Sequence, residues 1–147
     1  MTKTLLPEDL LCFDAYALNQ AFGRLYKPLL APMGLTYPQY LVMLVLWSDD
    51  GSTVGSIGKR LSLDSGTLTP LLKRLEKRGL LKRNRDSEDE RRVRITLTDA
   101  GWRMQAMAAD IPACVEAATG LSSEEITRLR GQLGRLCAVL MGYRVSA

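Results

Sequence analysis

The sequence predicts a mainly helical chain with one small β-hairpin, a mainly α (α+β) class, and three observations predict it. Residues 53–98 carry two short apolar periodicities of helical spacing, then two short runs of strand character around a polar tip. Wide apolar stripes of helical period occupy both ends of the chain. Positive charge gathers in the middle: residues 59–103 hold 13 basic and 7 acidic residues, a net +6, out of 20 basic and 16 acidic in all, which leaves −2 for the rest. Helix, turn, helix and hairpin in that order is a winged helix-turn-helix. A basic helix face can enter the DNA major groove, and a basic wing can reach phosphates or the minor groove.

Composition excludes several classes. At 147 residues the chain can bury one core, and no apolar run approaches the ~18 residues of a membrane span. Lys3 is basic, but Pro7, Glu8 and Asp9 interrupt a signal-peptide pattern, so the expected location is cytoplasmic, away from a membrane. The three cysteines, Cys12, Cys114 and Cys137, are too far apart for a metal knuckle or a secreted disulfide framework. There is no histidine, which removes His metal sites, Ser-His-Asp triads and Cys-His nucleophiles. No enzyme activity, metal or cofactor is expected.

Residues 7–30 read as one helix. Pro7 suits a first turn, and Glu8 and Asp9 complement its positive end. Leu11, Ala15, Leu18, Phe22, Leu25 and Leu29 form a stripe too broad for a small domain to cover, which implies burial against a second subunit. Pro28 should bend this helix or loosen its last turn. Thr36 and Gln39 make a capping box around Pro38, and residues 40–47 are nearly all apolar, as in a buried helix. After a polar loop, Thr53 caps the helix carrying Val54, Ile57 and Leu61. Gly55 and Gly58 weaken that helix, and close approach of its neighbour would explain at least one of them.

The next helix sets Leu68, Leu71, Leu72 and Leu75 inward, with Lys73, Arg74, Lys77 and Arg78 largely off that stripe. A start near Ser65 would make Pro70 cost one hydrogen bond; a start near Thr67 would not, and both stay open. Gly79 stops the helix. Strands follow at 80–85 and 93–97. A long helix from 98 to 118 should be kinked by Pro112. Gly120 ends it, and Ser122 with Glu125 opens a last helix over 123–143, with Ile126, Leu129, Leu133, Leu136, Val139 and Leu140 on its apolar face.

Cys12 falls in the first turns of the N-terminal helix, where the backbone dipole modestly favours a thiolate. No Lys or Arg lies within four residues of it. Tyr16 is one turn away, and Tyr26 and Tyr37 are candidates if the chain folds back; a phenol donating to sulfur stabilises the anion. The alternative is a small buried hydrophobe. Cys137 sits within the last apolar stripe and reads as a packed core or interface residue. Cys114, after Pro112 and among alanines, could serve as a resolving thiol; sequence does not show whether it approaches Cys12.

The segment DSGTLTPLLKRLEKRGLLKRNRDSEDERRV at 64–93 resembles the MarR family of winged-helix repressors. With LCFDAY at 11–16, LYKPLLAPMGLTYPQYLVMLVLW at 25–47 and LDSGTLTPLLKRLE at 63–76, the chain is similar to the organic-hydroperoxide-sensing, OhrR-type branch over residues 10–112. The resemblance implies a single MarR-type domain over 1–147: a winged helix-turn-helix at about 36–98, with a helical dimerisation platform from 5–35 and 99–147. It implies a homodimeric repressor on pseudo-palindromic operator DNA, with an organic hydroperoxide as inducer and a hydroperoxide-detoxifying enzyme as the regulated product. Cys12 would be the redox sensor, with Tyr26 and Tyr37 hydrogen-bonding it and Tyr16 nearby. Phe13 and the helix of Trp47 would favour lipid-like peroxides. The oxidised cysteine is capped by a small thiol in one subtype; in the other a cysteine of the second subunit resolves it, and Cys114 looks placed for that. Arg91 would enter the minor groove, oriented by Asp89. Ser65, Thr67, Thr69 and Lys73 would contact DNA from the recognition helix, with Arg74 and Arg78 more peripheral. Three other readings compete: a MarR-type repressor released by a small phenolic or drug-like ligand, a thiol peroxidase, and a non-specific architectural DNA protein.

Overall fold

In a computed structural model, which describes residues 5–144, the chain is helical with one two-stranded antiparallel sheet. Lys3 lies outside the described residues. The elements are α1 (Leu11–Leu30), α2 (Tyr37–Ser48), α3 (Val54–Leu61), α4 (Ser65–Lys77), β1 (Leu81–Arg85), β2 (Val93–Leu97), α5 (Asp99–Ala108), α6 (Ile111–Thr119) and α7 (Ser123–Gly142). They form two compact units, one ending at Asp110 and one beginning at Ile111. Among the described residues no single helix is long and apolar enough to cross a membrane.

Local chemistry sets most boundaries. The Thr36 hydroxyl accepts from the Gln39 N–H and the Gln39 side chain accepts from the Thr36 N–H, so α2 starts in a reciprocal cap. Thr53, Asp64 and Thr98 cap α3, α4 and α5 through side-chain oxygens. Gly79 ends the α4 segment at φ +72°, the left-handed conformation that glycine takes without a Cβ penalty.

Two expected helices are divided. The segment from Pro7 closes after one 3-10 turn, through N–H bonds from Asp9 to the Leu6 carbonyl and from Leu10 to the Pro7 carbonyl. Leu10 is then extended, and its carbonyl begins α1, which leaves Cys12 in the true first turn. The expected helix over 98–118 is two helices rather than one kinked helix. Pro112 has no N–H for the Ala108 carbonyl and its ring would crowd it, so α5 stops at Ala108 and Pro112 becomes the second residue of α6. Pro28 stands inside α1, which runs to Leu30, passes into a 3-10 turn over Ala31–Met33 and ends at Gly34, φ +61°.

The core of the first unit forms where α2, α3 and α4 meet the hairpin. Val42, Met43 and Leu46 of α2, Ile57 of α3, Leu68, Leu72 and Leu75 of α4, and Leu81 and Ile95 of the strands are all essentially inaccessible. Leu81 pairs with Leu97 and Arg85 with Val93. The α2–α3 loop pairs along the free edge of β2: the Ile95 N–H donates to the Ser52 carbonyl and the Gly51 N–H to the Ile95 carbonyl, both at 2.9 Å. The wing is thus stitched to the loop ahead of α3.

By contrast, α1 exposes Leu11, Phe13, Tyr16 and Leu18. In the second unit α7 starts in the expected Ser122–Glu125 capping box, in which the Ser122 N–H, then its hydroxyl, hold the Glu125 carboxyl below its usual value. Its residues Leu129, Leu133, Val139 and Leu140 are exposed. Cys137 is exposed as well, so within one chain it is not the packed core residue expected; the apolar stripe around it has no cover from its own unit.

The two weak positions in α3 separate. A Cβ on Gly58 would stand 2.7 Å from the Leu63 carbonyl, whereas on Gly55 it would meet nothing nearer than the Thr53 hydroxyl at 4.0 Å. The close neighbour is the turn rather than the next helix. Gly58→Ala is expected to lower unfolding free energy by about 1–3 kcal/mol. Gly55→Ala is expected to be neutral or to stabilise by up to about 1 kcal/mol. Urea titration at fixed protein concentration checks both.

Candidate functional site

The helix α4 starts at Ser65, because the Asp64 carboxylate accepts the Thr67 N–H at 2.8 Å. Pro70 therefore leaves the exposed Gly66 carbonyl without its helical donor, free to be hydrated. Burial of the leucine stripe turns Ser65, Thr67, Lys73 and Arg74 to solvent, while Thr69 is half-buried. Beside Thr69 lies a groove of about 580 Å³ between the start of α3, α4 and the wing, lined also by Thr53, Ser56, Arg83, Arg91 and Arg92.

The wing is held at its base by carboxylates. Glu76 of α4 accepts from Arg83 at both the N–H (3.1 Å) and Nε (2.7 Å), and the Arg83 side-chain bond is the chief cause of its lowered pKa. Asp86, at the end of β1, is 5% exposed; it accepts the Glu88 N–H at 2.8 Å and pairs with Arg94 Nε at 2.5 Å. The Glu88 N–H, then Arg94, hold its pKa down. Arg94 also donates to the Gly51 carbonyl at 2.9 Å, which ties hairpin to loop. Sequence reasoning missed this anchor. Its signal was an Asp two residues before an available N–H just past a strand, the pattern of an Asx turn.

At the tip, the Asp89 carboxylate accepts the Arg91 N–H at 3.1 Å and lies 3.9 Å from Arg91 Nε and 3.6 Å from Arg92 Nε. The Arg91 side chain is 96% exposed, so this contact neutralises it little. Two arginines share one carboxylate and the tip stays cationic. Arg78 differs from the expected DNA-facing role. Its guanidinium donates to the Gly34 carbonyl at 2.6 Å and the Met33 carbonyl at 2.7 Å, across the turn between α1 and α2.

The thiol lies elsewhere. Cys12 is exposed, not a buried hydrophobe, beside an apolar hollow of about 420 Å³ lined with Leu5, Leu6, Leu10, Phe13 and Tyr16. The Tyr16 hydroxyl accepts from Gln20 Nε2 at 2.7 Å and keeps its own proton to donate. Tyr26 and Tyr37 are not in this hollow. Tyr26 lies fourteen residues beyond Cys12 on the same helix, about 21 Å at 1.5 Å per residue. The Tyr37 ring packs 4.6 Å from that of Tyr26, so it is remote as well. Trp47 belongs to this distant cluster, 6.5 Å from Tyr40, and donates to the Gly101 carbonyl; of the two expected neighbours of Cys12, only Phe13 is there.

The cluster of Tyr26, Tyr37 and Tyr40 has its own electrostatics. Burial, then Tyr37 and Tyr40, push Tyr26 up to about 12; Tyr40 is raised by burial and by Tyr37. At neutral pH Tyr26 is therefore a protonated phenol, an O–H donor. Tyr40 was missed by sequence reasoning, although it stands three residues after Tyr37 and so shares its helix face. Cys114, in α6, is exposed.

Comparison with known proteins gives this arrangement relatives. Residues 24–106 match the family described as transcriptional regulator SarA/Rot. The chain is 52% identical over 126 residues to the HTH-type transcriptional regulator TtmR of Methylorubrum extorquens, covering 86% of this chain but 65% of TtmR, less than two thirds of its length. It is 44% identical to the organic hydroperoxide resistance transcriptional regulator of Bacillus subtilis, over 90% of each chain. Among solved structures it is similar to overoxidized AbfR bound to DNA, a protein of Staphylococcus epidermidis, with TM-score 0.76 and 39% identity over 89% of this chain and 91% of that one.

Asp86 gives a checkable consequence for the wing. Its folded pKa is lowered, so its contribution is complete above the ordinary value of 3.8 and is lost as pH falls below that, through the depressed folded value. Asp86→Asn removes the charge at all pH values. It is expected to speed amide hydrogen exchange over residues 81–97 at neutral pH while α2 stays protected.

Proposed function

The chain belongs to the MarR family of winged-helix transcriptional regulators, in its organic hydroperoxide resistance branch, a family of DNA-binding rather than catalytic proteins; from that premise we propose that it is a homodimeric repressor switched by oxidation of Cys12. The observation that carries the reading is an exposed thiol in the first turn of α1, set in an apolar hollow.

The proposed dimer is supported by the exposed apolar stripes of α1 and, separately, of α7. It also answers the placement of the tyrosines. The Cys12 of one subunit is too far from its own Tyr26 and Tyr37 to bond them, so the phenols that steady its thiolate are Tyr26 and Tyr37 of the partner subunit, with Tyr16 from its own helix. Tyr26, whose pKa burial raises, suits that role as an O–H donor.

In the reaction, the Cys12 thiolate attacks the terminal oxygen of the hydroperoxide. The O–O bond breaks, sulfur loses two electrons to become a sulfenic acid, and the peroxide leaves as an alcohol after taking up a proton. The apolar hollow favours peroxides with alkyl chains over hydrogen peroxide. The sulfenic acid then condenses with the Cys114 thiol of the partner subunit, forming a disulfide and releasing water. Half-sites about one DNA turn apart, ~34–36 Å, tolerate little reorientation of two linked winged units, so such a bridge releases the operator. On DNA, Ser65, Thr67, Thr69 and Lys73 face the major groove with Arg74 beside them, and Arg91, aimed by Asp89, enters the minor groove.

Fluorescence anisotropy on DNA from upstream of its own gene tests this. Wild type is expected to release DNA on one equivalent of an organic hydroperoxide per subunit and to rebind after dithiothreitol. Cys12→Ser is expected to bind equally and to stay bound; release by Cys12→Ser would refute the thiol switch and favour a small inducing ligand. Cys114→Ser is expected to lose the covalent dimer on a non-reducing gel. Separately, Arg91→Ala is expected to weaken binding and lower the salt slope by about one.

A further inference from the structure

We propose that Arg78 is a positioning residue that couples the turn between α1 and α2 to the recognition helix α4, so that movement at the tyrosine cluster reaches the DNA-reading face. The proposal rests on the peroxide-sensing reading above and adds to it the route from sensor to reader.

Arg78 is the last residue of the α4 segment before the left-handed Gly79, and its backbone is still helical at φ −80°, ψ −1°. Its two terminal nitrogens grip the Met33 and Gly34 carbonyls, 45 and 44 residues away in sequence. Those carbonyls lie at the C-terminal end of the 3-10 turn that follows α1, where the backbone dipoles present negative charge. A planar guanidinium holding two carbonyls fixes both distance and tilt, as a single lysine ammonium would not. The approach is tight: a Cβ on Gly34 would stand 3.1 Å from Arg78 Nη2.

The same link between α1 and α2 is spanned by an aromatic pair. Tyr26 comes from α1 and Tyr37 from the start of α2, their rings 4.6 Å apart, with Tyr40 6.0 Å from Tyr26. One short link is therefore held by the proposed phenol donors and by the recognition helix. Apolar packing between helices tolerates small slides, but a two-point hydrogen-bonded fork does not. When oxidation of the partner's Cys12 disturbs Tyr26 and Tyr37, the link shifts and Arg78 carries the shift into the C-terminal end of α4. Because the fork lies at the surface, its contribution is mainly geometric rather than to stability.

The test compares wild type, Arg78→Gln and Arg78→Lys by anisotropy on upstream DNA, reduced and after a stated organic hydroperoxide, with Cys12 oxidation followed by mass spectrometry. The readout is the ratio of dissociation constants after and before oxidation. Both variants are expected to bind like wild type when reduced, with the same salt slope, and to show a ratio at least about fivefold smaller than wild type. If wild type keeps its DNA after Cys12 is oxidised, the sensing reading itself fails. If wild type releases DNA and both variants release it with the same ratio, the role of Arg78 alone fails. A salt slope lowered by about one in Arg78→Gln but kept in Arg78→Lys makes Arg78 a phosphate contact and overturns the coupling role. Loss of reduced-state binding in Arg78→Lys overturns it also.

Discussion

The stiffness of α1 constrains everything proposed for this chain. Twenty residues of helix carry Cys12 near one end and Tyr26 toward the other, about 21 Å apart. No side-chain rotamer closes that gap. A protonated phenol cluster and an exposed thiol, each of little use alone, are held apart by the same rod whose apolar side chains lie bare. The second copy of the chain proposed above would resolve both features together, covering the stripe and bringing phenols to sulfur. In this account the sensor is a property of the dimer, and the single chain contains two halves of different sites.

The reading end is assembled by a different kind of force. Leucines of α4 and Ile95 of β2 build the core, but direction comes from charge-assisted bonds at the rim. Glu76 fixes the first wing strand to α4 through Arg83. Asp86 fixes the second strand through Arg94, which also reaches the loop before α3. Asp89 lies against Arg91 and Arg92 at the tip. The lowered pKa values record the bonds at the base: at Glu76 chiefly the Arg83 side chain, at Asp86 first the Glu88 N–H and then Arg94. Lys73, Arg74 and Arg91 are among the cations that face solvent.

Where structure follows from neighbours in sequence, the chain was legible. The caps at Thr36, Thr53 and Ser122 and the stop at Gly79 depend on residues within four positions, and they stand where the pattern puts them. Prolines were legible as disturbances but not as outcomes. Pro112 divides a helix rather than kinking it, because the break falls where its missing N–H and its ring coincide with the Ala108 carbonyl. Leu10 was not legible, since nothing in its side chain announces an extended residue between two helical turns. Contacts across forty or more residues were also hidden. Arg78 looked like one more cation on a basic helix, and only the folded chain shows it holding Met33 and Gly34. Tyr26 and Tyr37 were named for Cys12 as candidates if the chain folds back, and then by likeness; their distance from Cys12 is a fact of geometry that neither could supply.

Complementation between two damaged subunits tests the central claim most directly. A heterodimer is assembled from one Cys12→Ser subunit and one subunit carrying Tyr26→Phe and Tyr37→Phe, and its single remaining Cys12 is reacted with an organic hydroperoxide under stopped flow. If phenols act across the dimer, that cysteine faces intact tyrosines and reacts at the wild-type rate, with one reactive thiol per dimer. A rate as slow as that of the doubly Tyr→Phe homodimer would place the tyrosines and the cysteine in one chain and contradict the account.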